Sequence, residues 1–560
     1  MREHFNQASS TSNAQISPAR RALPTPLIFF FLAVAVCVSY TLYTSQVWED
    51  YFITFRYSEN LCHGKGLVYN AGERVHGFTS PLGVLLPAAC YLISGMGSYV
   101  PALWLFRISS MAAFAGGGLF VLAAFRLDNS SSTSQIFMAL LYVFDVKAVA
   151  FATNGMETAF MLLFVGWAFY LFQRECCRPW FTEGGHGLPL AWSFARGACW
   201  AGLLWTRPDG CVYIGALAIA GLTFSQVPRW RLLASFLSSA AVCSLLYAPW
   251  LLFAWFYYSS PIPNTLIAKS TYIGGNYLEY LQLIRASLGR QFLLKNIGVF
   301  APIYYTSFWG WPAWVGWISL AMVCLCCIYW LLPNVDRLGR MASLCCLLLC
   351  LYNLAVPALF PWYMPPIAMC GIIALTRGTP RLTDALLGPG VPSGITAATC
   401  LMLPTLGSIG LFLSTAYQAR IQQEVIENGQ RMTIGKWLKD TARPFESVYV
   451  EPLGYIGYFS GCRMLDYPGL ISPRVVKLRQ RENLDFVSII ALIQPDWVVA
   501  RPEQARDIGI AGLTDFYVPV RRFDVKARLD QYSWVPGRLY LGYDTVFVIF
   551  KKKPGLAPVR

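Results

Sequence analysis

The sequence predicts a mainly α-helical polytopic membrane protein of about eleven transmembrane helices, followed by a small extracytoplasmic α/β domain. Three observations predict it. Of 560 residues, 56% are hydrophobic and 13% charged, which leaves long stretches unsuited to the surface of a soluble globule. Apolar runs of about the 20 residues that cross a bilayer core recur along the chain, and basic residues fall in alternate short connections, as the positive-inside bias places them. From residue 416 the runs stop, and charged helical stretches mix with short β-rich runs at Val448–Val450, Trp497–Ala500 and Val546–Phe550.

The elements follow in order. Residues 1–26 form a polar cytoplasmic tail that carries Arg20 and Arg21, and the first span, Leu27–Val47, lacks a small-x-small cleavage signature and stays in place. A polar outer segment runs from Trp48 to Ser80. Pro81–Ser94 is apolar but short and broken by Gly83 and Pro87, so it suits an interfacial or re-entrant helix. Spans then run over Ala102–Phe125, Gln135–Ala152, Thr158–Phe172, Leu190–Trp205, Gly210–Phe224 and Leu232–Tyr257. A long outer loop over 258–296 precedes Trp311–Leu332, Ala342–Leu359, Trp362–Leu375 and Ile395–Ser414, which complete a transmembrane domain over 27–415 with outer loops 48–101 and 258–296. This threading leaves Arg126, Arg174, Arg229, Arg337 and Arg377 inside and delivers the tail domain, 416–560, to the outside of the plasma membrane. Counting Pro81–Ser94 as a full span would invert every later loop.

The net charge of +15, from 44 Lys and Arg against 29 Asp and Glu, sits mostly in those loops, which speaks for a bilayer partner and against nucleic acid. Most of the 17 cysteines lie inside apolar runs as small hydrophobic filler. Cys62 and Cys462 are the two placed outside, where they can pair. With four His and no paired CxxC at zinc spacing, no His-rich or zinc-ribbon site is expected; no cofactor is certain, and a divalent metal is left open.

Polar density near span ends gathers on the outer side. Glu49 and Asp50 stand at the outer end of the first span, where lost solvation tunes a carboxylate towards a base, or where an acidic helix end simply meets headgroup water. Asn154-Gly155-Met156-Glu157-Thr158 joins two spans with almost no loop, and Glu157 is either a site residue or the first turn of a helix. Thr206-Arg207-Pro208-Asp209-Gly210 places a cation and an anion at a boundary, as ligands or as a turn pair. Lys269, with Arg56 or Arg207, can hold a phosphate beside the bilayer. Trp362 and Tyr363 start the tenth span as interface aromatics or ligand contacts.

The order of these blocks resembles the GT-C superfamily of membrane glycosyltransferases. Glu49-Asp50-Tyr51-Phe52-Ile53-Thr54-Phe55-Arg56-Tyr57, then Gly64-Lys65-Gly66-Leu67-Val68-Tyr69-Asn70, Gly72-Glu73-Arg74-Val75 and Gly77-Phe78-Thr79-Ser80-Pro81-Leu82, look like the mycobacterial terminal β-arabinofuranosyltransferase group. Pro263-Asn264-Thr265 with Lys269 continues the likeness. The family's acidic pair is normally Asp-Asp, whereas here its first member is Glu49. The resemblance implies Asp50, with Glu49, at the catalytic position, and substrate contacts from Arg56, Thr79, Glu157, Arg207, Asp209, Asn264, Lys269 and Tyr363. It further implies a polyprenyl-phosphate sugar donor, such as one carrying arabinofuranose, and an envelope glycan or other acceptor on the outer face. The rival readings are a transporter or lipid flippase, which would want charges near mid-membrane, and a non-catalytic glycan-binding relative.

Overall fold

The computed structural model describes residues 25–555 except 129, 178–189, 271–276, 304–309, 333–334, 388–392, 483 and 533. The first span is helix α1, Thr25–Thr44, which stops where Ser45 takes a left-handed φ of 50°. The chain turns at once into α2, Glu49–Cys62. The short apolar run forms α3, Leu82–Ile93, whose 12 residues give about 18 Å of helix, too little to span a bilayer core. α4 covers Tyr99–Leu127 and α7 covers Thr158–Cys176.

Between them the structure corrects the expected single span over Gln135–Ala152. It is two helices, α5 (Ser132–Val143) and α6 (Val146–Thr153), bent by 52°. Asp145 causes the break: its carboxylate accepts the Ala148 amide at 2.8 Å and so starts a new helix where the apolar pattern suggested continuity. Helices Leu190–Thr206, Gly210–Phe224, Arg229–Tyr258, Ala313–Ile328, Arg337–Ala355, Met364–Leu387 and Ser393–Ile421 follow. Among the described residues, six helices are long and apolar enough to cross a membrane, or seven if α5 and α6 act as one. The chain is a multi-pass membrane protein.

The division expected at 415/416 falls inside a continuous helix. Ser393–Ile421 runs into a π-helix, Gln422–Arg431, and then into a further α-helix, Met432–Thr441. Beyond it stands a five-stranded sheet, with β1 (Ser447–Val450), β2 (Arg463–Asp466), β3 (Trp497–Ala500), β4 (Tyr517–Asp524) and β5 (Val546–Lys552) in the order β2-β1-β3-β5-β4. β1 pairs in parallel with β2 and β3, and β5 pairs antiparallel with β3 and β4.

α2 joins the bundle to the sheet because it is buried on both sides. Tyr51, Phe52 and Phe55 sink into the bundle core. Ile53 and Tyr57 share a second core with Phe78, Trp250, Val448, Leu453 and Trp497. At about 1.5–3 kcal/mol for each large apolar side chain taken from water, these contacts hold α2 between the two layers. Cys62 and Cys462 remain free thiols, their sulfurs 3.4 Å from the Ala88 carbonyl and 3.7 Å from the Ser460 carbonyl.

Candidate active site

Where α2 begins, the helix ends and the tail enclose a cavity of about 270 Å³. Six of the residues expected to act line it: Glu49, Asp50, Thr79, Glu157, Arg207 and Lys269. The local sequence explains how they meet. The Trp48 amide donates to the Asn154 carbonyl at 2.8 Å, which ties the start of α2 to the turn before α7. That turn needs Gly155, whose φ is +97° and whose absent Cβ would strike the Tyr51 ring 2.6 Å away. Glu157 is thereby delivered beside Asp50.

The charges differ sharply in how far they are satisfied. Arg207 is boxed in: its Nε meets Asp209 at 2.9 Å, its Nη1 meets Glu157 at 3.4 Å, and its guanidinium lies 4.4 Å over the Tyr363 ring. Asp209 and Tyr363 thus hold Arg207 and do not themselves line the cavity. Lys269 has no carboxylate partner among the described residues. Its ammonium rests 4.7 Å from the centre of Phe360 and 5.7 Å from that of Trp362, two rings stacked at 4.7 Å. The backbone leading to those rings is fixed in turn, since Lys295 Nζ donates to the Val356 carbonyl at 2.6 Å and to that of Pro357 at 2.9 Å. One helical turn before Lys269, the Thr265 hydroxyl is buried without a hydrogen-bond partner among the described residues.

The acidic pair divides. Glu49 forms an ion pair with Arg431 at 2.7 Å and accepts the Gly454 amide at 3.2 Å. Burial pushes its carboxyl up, while Arg431 and the Gly454 amide hold it down. The Asp50 carboxylate has neither hydrogen bond nor ion pair among the described residues. Burial pushes it up to about 7, against the pull of Lys269 and Arg207 and with the push of Glu49 and Glu157.

Two expected contacts lie elsewhere. The Arg56 guanidinium donates to the carbonyls of Tyr69, Gly457 and Cys462 at 3.0, 2.7 and 2.7 Å, a structural staple between α2 and the tail. Asn264 donates to the carbonyls of Gly469 and Leu470 at 2.7 and 2.9 Å, anchoring the helix that carries Lys269.

The fold has known counterparts. The AglB oligosaccharyltransferase of Archaeoglobus fulgidus, solved with an inhibitory peptide and a dolichol-phosphate, superposes with a TM-score of 0.53 over 92% of this chain and 72% of that one, at 12% identity. ArnT of Cupriavidus metallidurans in the apo state does so at 0.50 over 96% and 99%, with 13% identity. The chain has the GT-C glycosyltransferase fold. In sequence it is 27% identical over 304 residues to a terminal β-(1→2)-arabinofuranosyltransferase of Corynebacterium glutamicum, over 50% of this chain and 42% of that protein. The match thus spans less than half of the relative's length. Residues 418–546 match a family described as a domain of unknown function, DUF8728.

That last segment supplies the part of the cavity that the sequence did not reveal. Arg431, Glu451, Pro452, Leu453, Pro468, Leu470 and Arg501 all line it. Their signal was weak because each is an ordinary residue of a soluble-looking domain, and only the tertiary fold brings them to the cavity that Asp50 lines.

Proposed function

We propose that the protein is a membrane glycosyltransferase that moves a sugar, arabinofuranose being the first to try, from a polyprenyl-phosphate donor to an envelope glycan or similar acceptor on the outer face of the membrane. The observation that carries this is the pairing, across one cavity, of a half-buried carboxylate, Asp50, with an ammonium, Lys269, neither of which has an ion-pair partner among the described residues. Lys269 and the Thr265 hydroxyl seat the donor phosphate, and Phe360 and Trp362 aim the ammonium. The acceptor hydroxyl oxygen bonds to the anomeric carbon, the bond from that carbon to phosphate oxygen breaks, and the electron pair leaves with the lipid phosphate. Asp50 takes the acceptor's proton. Base assistance typically contributes about 10² to 10⁴ in rate, and positioning with phosphate neutralisation supplies the rest.

No trio of protein ligands for a resident divalent ion stands preassembled in the cavity among the described residues. Among the described residues, the three-residue group whose ligating atoms come within 4.8 Å of one another is Cys327, Cys346 and Cys350, inside the bundle, and no set from the cavity does so. The transporter reading is disfavoured because the charges within the broken span are engaged: Asp145 caps α6, and Lys147 donates to the Gly298 and Ala301 carbonyls.

The test is transfer by the purified protein from a synthetic polyprenyl-phosphoryl arabinofuranose to an oligosaccharide acceptor, followed across pH. Asp50 must be ionised to accept a proton, so kcat/KM is expected to rise with pH through a limb near 7. A pH-independent rate between 5 and 8, on an approximate scale set by ordinary carboxylates, would count against Asp50 as the base. The about eleven-span threading, with the tail outside, predicts that cysteines introduced in 442–555 react with an impermeant reagent on intact cells while those near Arg229 or Arg337 stay protected. The inverse pattern would overturn the sidedness.

A further inference from the structure

α2 starts without a side-chain cap: its N-cap residue, Trp48, makes no capping hydrogen bond to the first turn. The first turn of any helix has amides with no intrahelical partner and frays unless something holds it. Here that turn carries both Glu49 and Asp50, and besides the Trp48–Asn154 tie much of what holds it comes from the far end of the chain.

The π-helix Gln422–Arg431 provides the grip. Such segments are rare and gather at functional sites. Gln423 accepts the Val47 amide at 2.9 Å, and Tyr455, itself hydrogen-bonded to Gln423, donates to the Val47 carbonyl at 3.0 Å. Both backbone groups of Val47, just ahead of α2, are therefore fixed. Eight residues on from Gln423, Arg431 reaches Glu49 at 2.7 Å and Glu427 at 3.0 Å, and its other nitrogen pairs with Asp544. Asp544 also meets Arg501 Nε at 2.6 Å, and Arg501 pairs with Glu451. Against burial, which pushes it up, the two guanidiniums hold Asp544 down to about 2. Gly454 closes the contact from the other side, where a side chain would collide with the Glu49 backbone.

We propose that Arg431 is a positioning residue: by clamping Glu49 to the tail sheet it fixes the first turn of α2 and the aim of Asp50, so the site is complete only while the tail is docked. The proposal rests on the transferase reading above. It assigns Glu49 to holding the turn and leaves the proton to Asp50.

The experiment compares kcat and donor KM for Arg431→Gln, Arg431→Lys, Glu49→Gln and the Arg431→Gln/Glu49→Gln double variant of the full chain, with synthetic polyprenyl-phosphoryl arabinofuranose as donor. A small misplacement of a reacting group costs about 10²-fold, so Arg431→Gln is expected to lower kcat on that scale with donor KM little changed, because the Lys269 seat is separate. Arg431→Lys keeps a cation beside Glu49 and should recover most of the rate. The double variant should be no slower than Arg431→Gln alone, since both changes break one contact. An unchanged kcat, additive losses, or a fall in rate matched by loss of folded protein in every Arg431 variant would overturn the proposal. If Arg431→Gln does not fold, Tyr455→Phe removes a Val47 anchor while leaving the ion pairs, and the same fall in kcat at constant KM is expected; an unchanged kcat there overturns the proposal. Asp50→Asn, run alongside, separates the failures. No transfer by the parent chain removes the transferase reading itself, an active Asp50→Asn removes Asp50 as the base, and an inactive Asp50→Asn beside a fully active Arg431→Gln removes the positioning role alone.

Discussion

Asp50→Asn is expected to lower turnover by about 10²-fold or more while the amount of folded protein and the binding of donor lipid persist. The amide keeps the shape of the carboxylate and loses only the charge and the capacity to take a proton. Stability moves the other way. Burial raises the folded pKa of Asp50 from 3.8 to about 7, so ionising it costs folding free energy as pH rises through that window. At pH near 8 the Asn variant should therefore be at least as stable as the parent, a sign that a structural carboxylate engaged in an ion pair would not give. Thermal midpoints and single-turnover rates measured on the same preparations decide it, and full activity in Asp50→Asn would refute the mechanism while leaving the fold untouched.

Lys269→Ala should act chiefly on the donor. A charge-assisted hydrogen bond is worth roughly 1.5–3 kcal/mol, so the donor KM is expected to rise by about 10- to 150-fold. The variant carries a second signature, because Lys269 is the strongest cation holding the Asp50 carboxyl down. Its removal should shift the acid limb of kcat/KM to higher pH, which loss of a remote contact would not do. Arg207→Ala is a poorer probe, since Glu157 and Asp209 would both lose their cation and two buried carboxylates would be left facing each other. A Lys269→Ala enzyme with the parent's donor dependence and pH profile would remove Lys269 from the phosphate seat.

Much of this site was legible in the sequence, for a physical reason. Charges beside long apolar runs are costly, so Asp50, Glu157, Arg207 and Lys269 stood out against their surroundings, and the structure brings all four to one cavity. The same rule misleads at Arg56. A cation near an acidic pair suggests a ligand contact, but its three partners are backbone carbonyls from Tyr69, Gly457 and Cys462, which no local pattern announces. Arg431 was invisible for the opposite reason. It lies in a polar stretch, Gln422–Arg431, where charge is unremarkable, and neither the π register nor the approach of Glu49 leaves a periodic trace. The bend between α5 and α6 was hidden because its cause is a single capping aspartate within a run that is mostly apolar.

That bend bears on how the chain is made. Asp and Lys at the centre of an inserting helix each disfavour entry into the bilayer by about 2.5–3.5 kcal/mol, and the bent pair α5–α6 carries Asp145 and Lys147 two residues apart near its middle. Lys147 finds its carbonyl partners only at Gly298 and Ala301, 151 and 154 residues further along. During synthesis the segment therefore reaches the translocon before those carbonyls exist, with Asp145 as the counter-charge at hand for Lys147. Biogenesis of this protein is in that sense non-sequential: an early helix settles only when a late loop arrives.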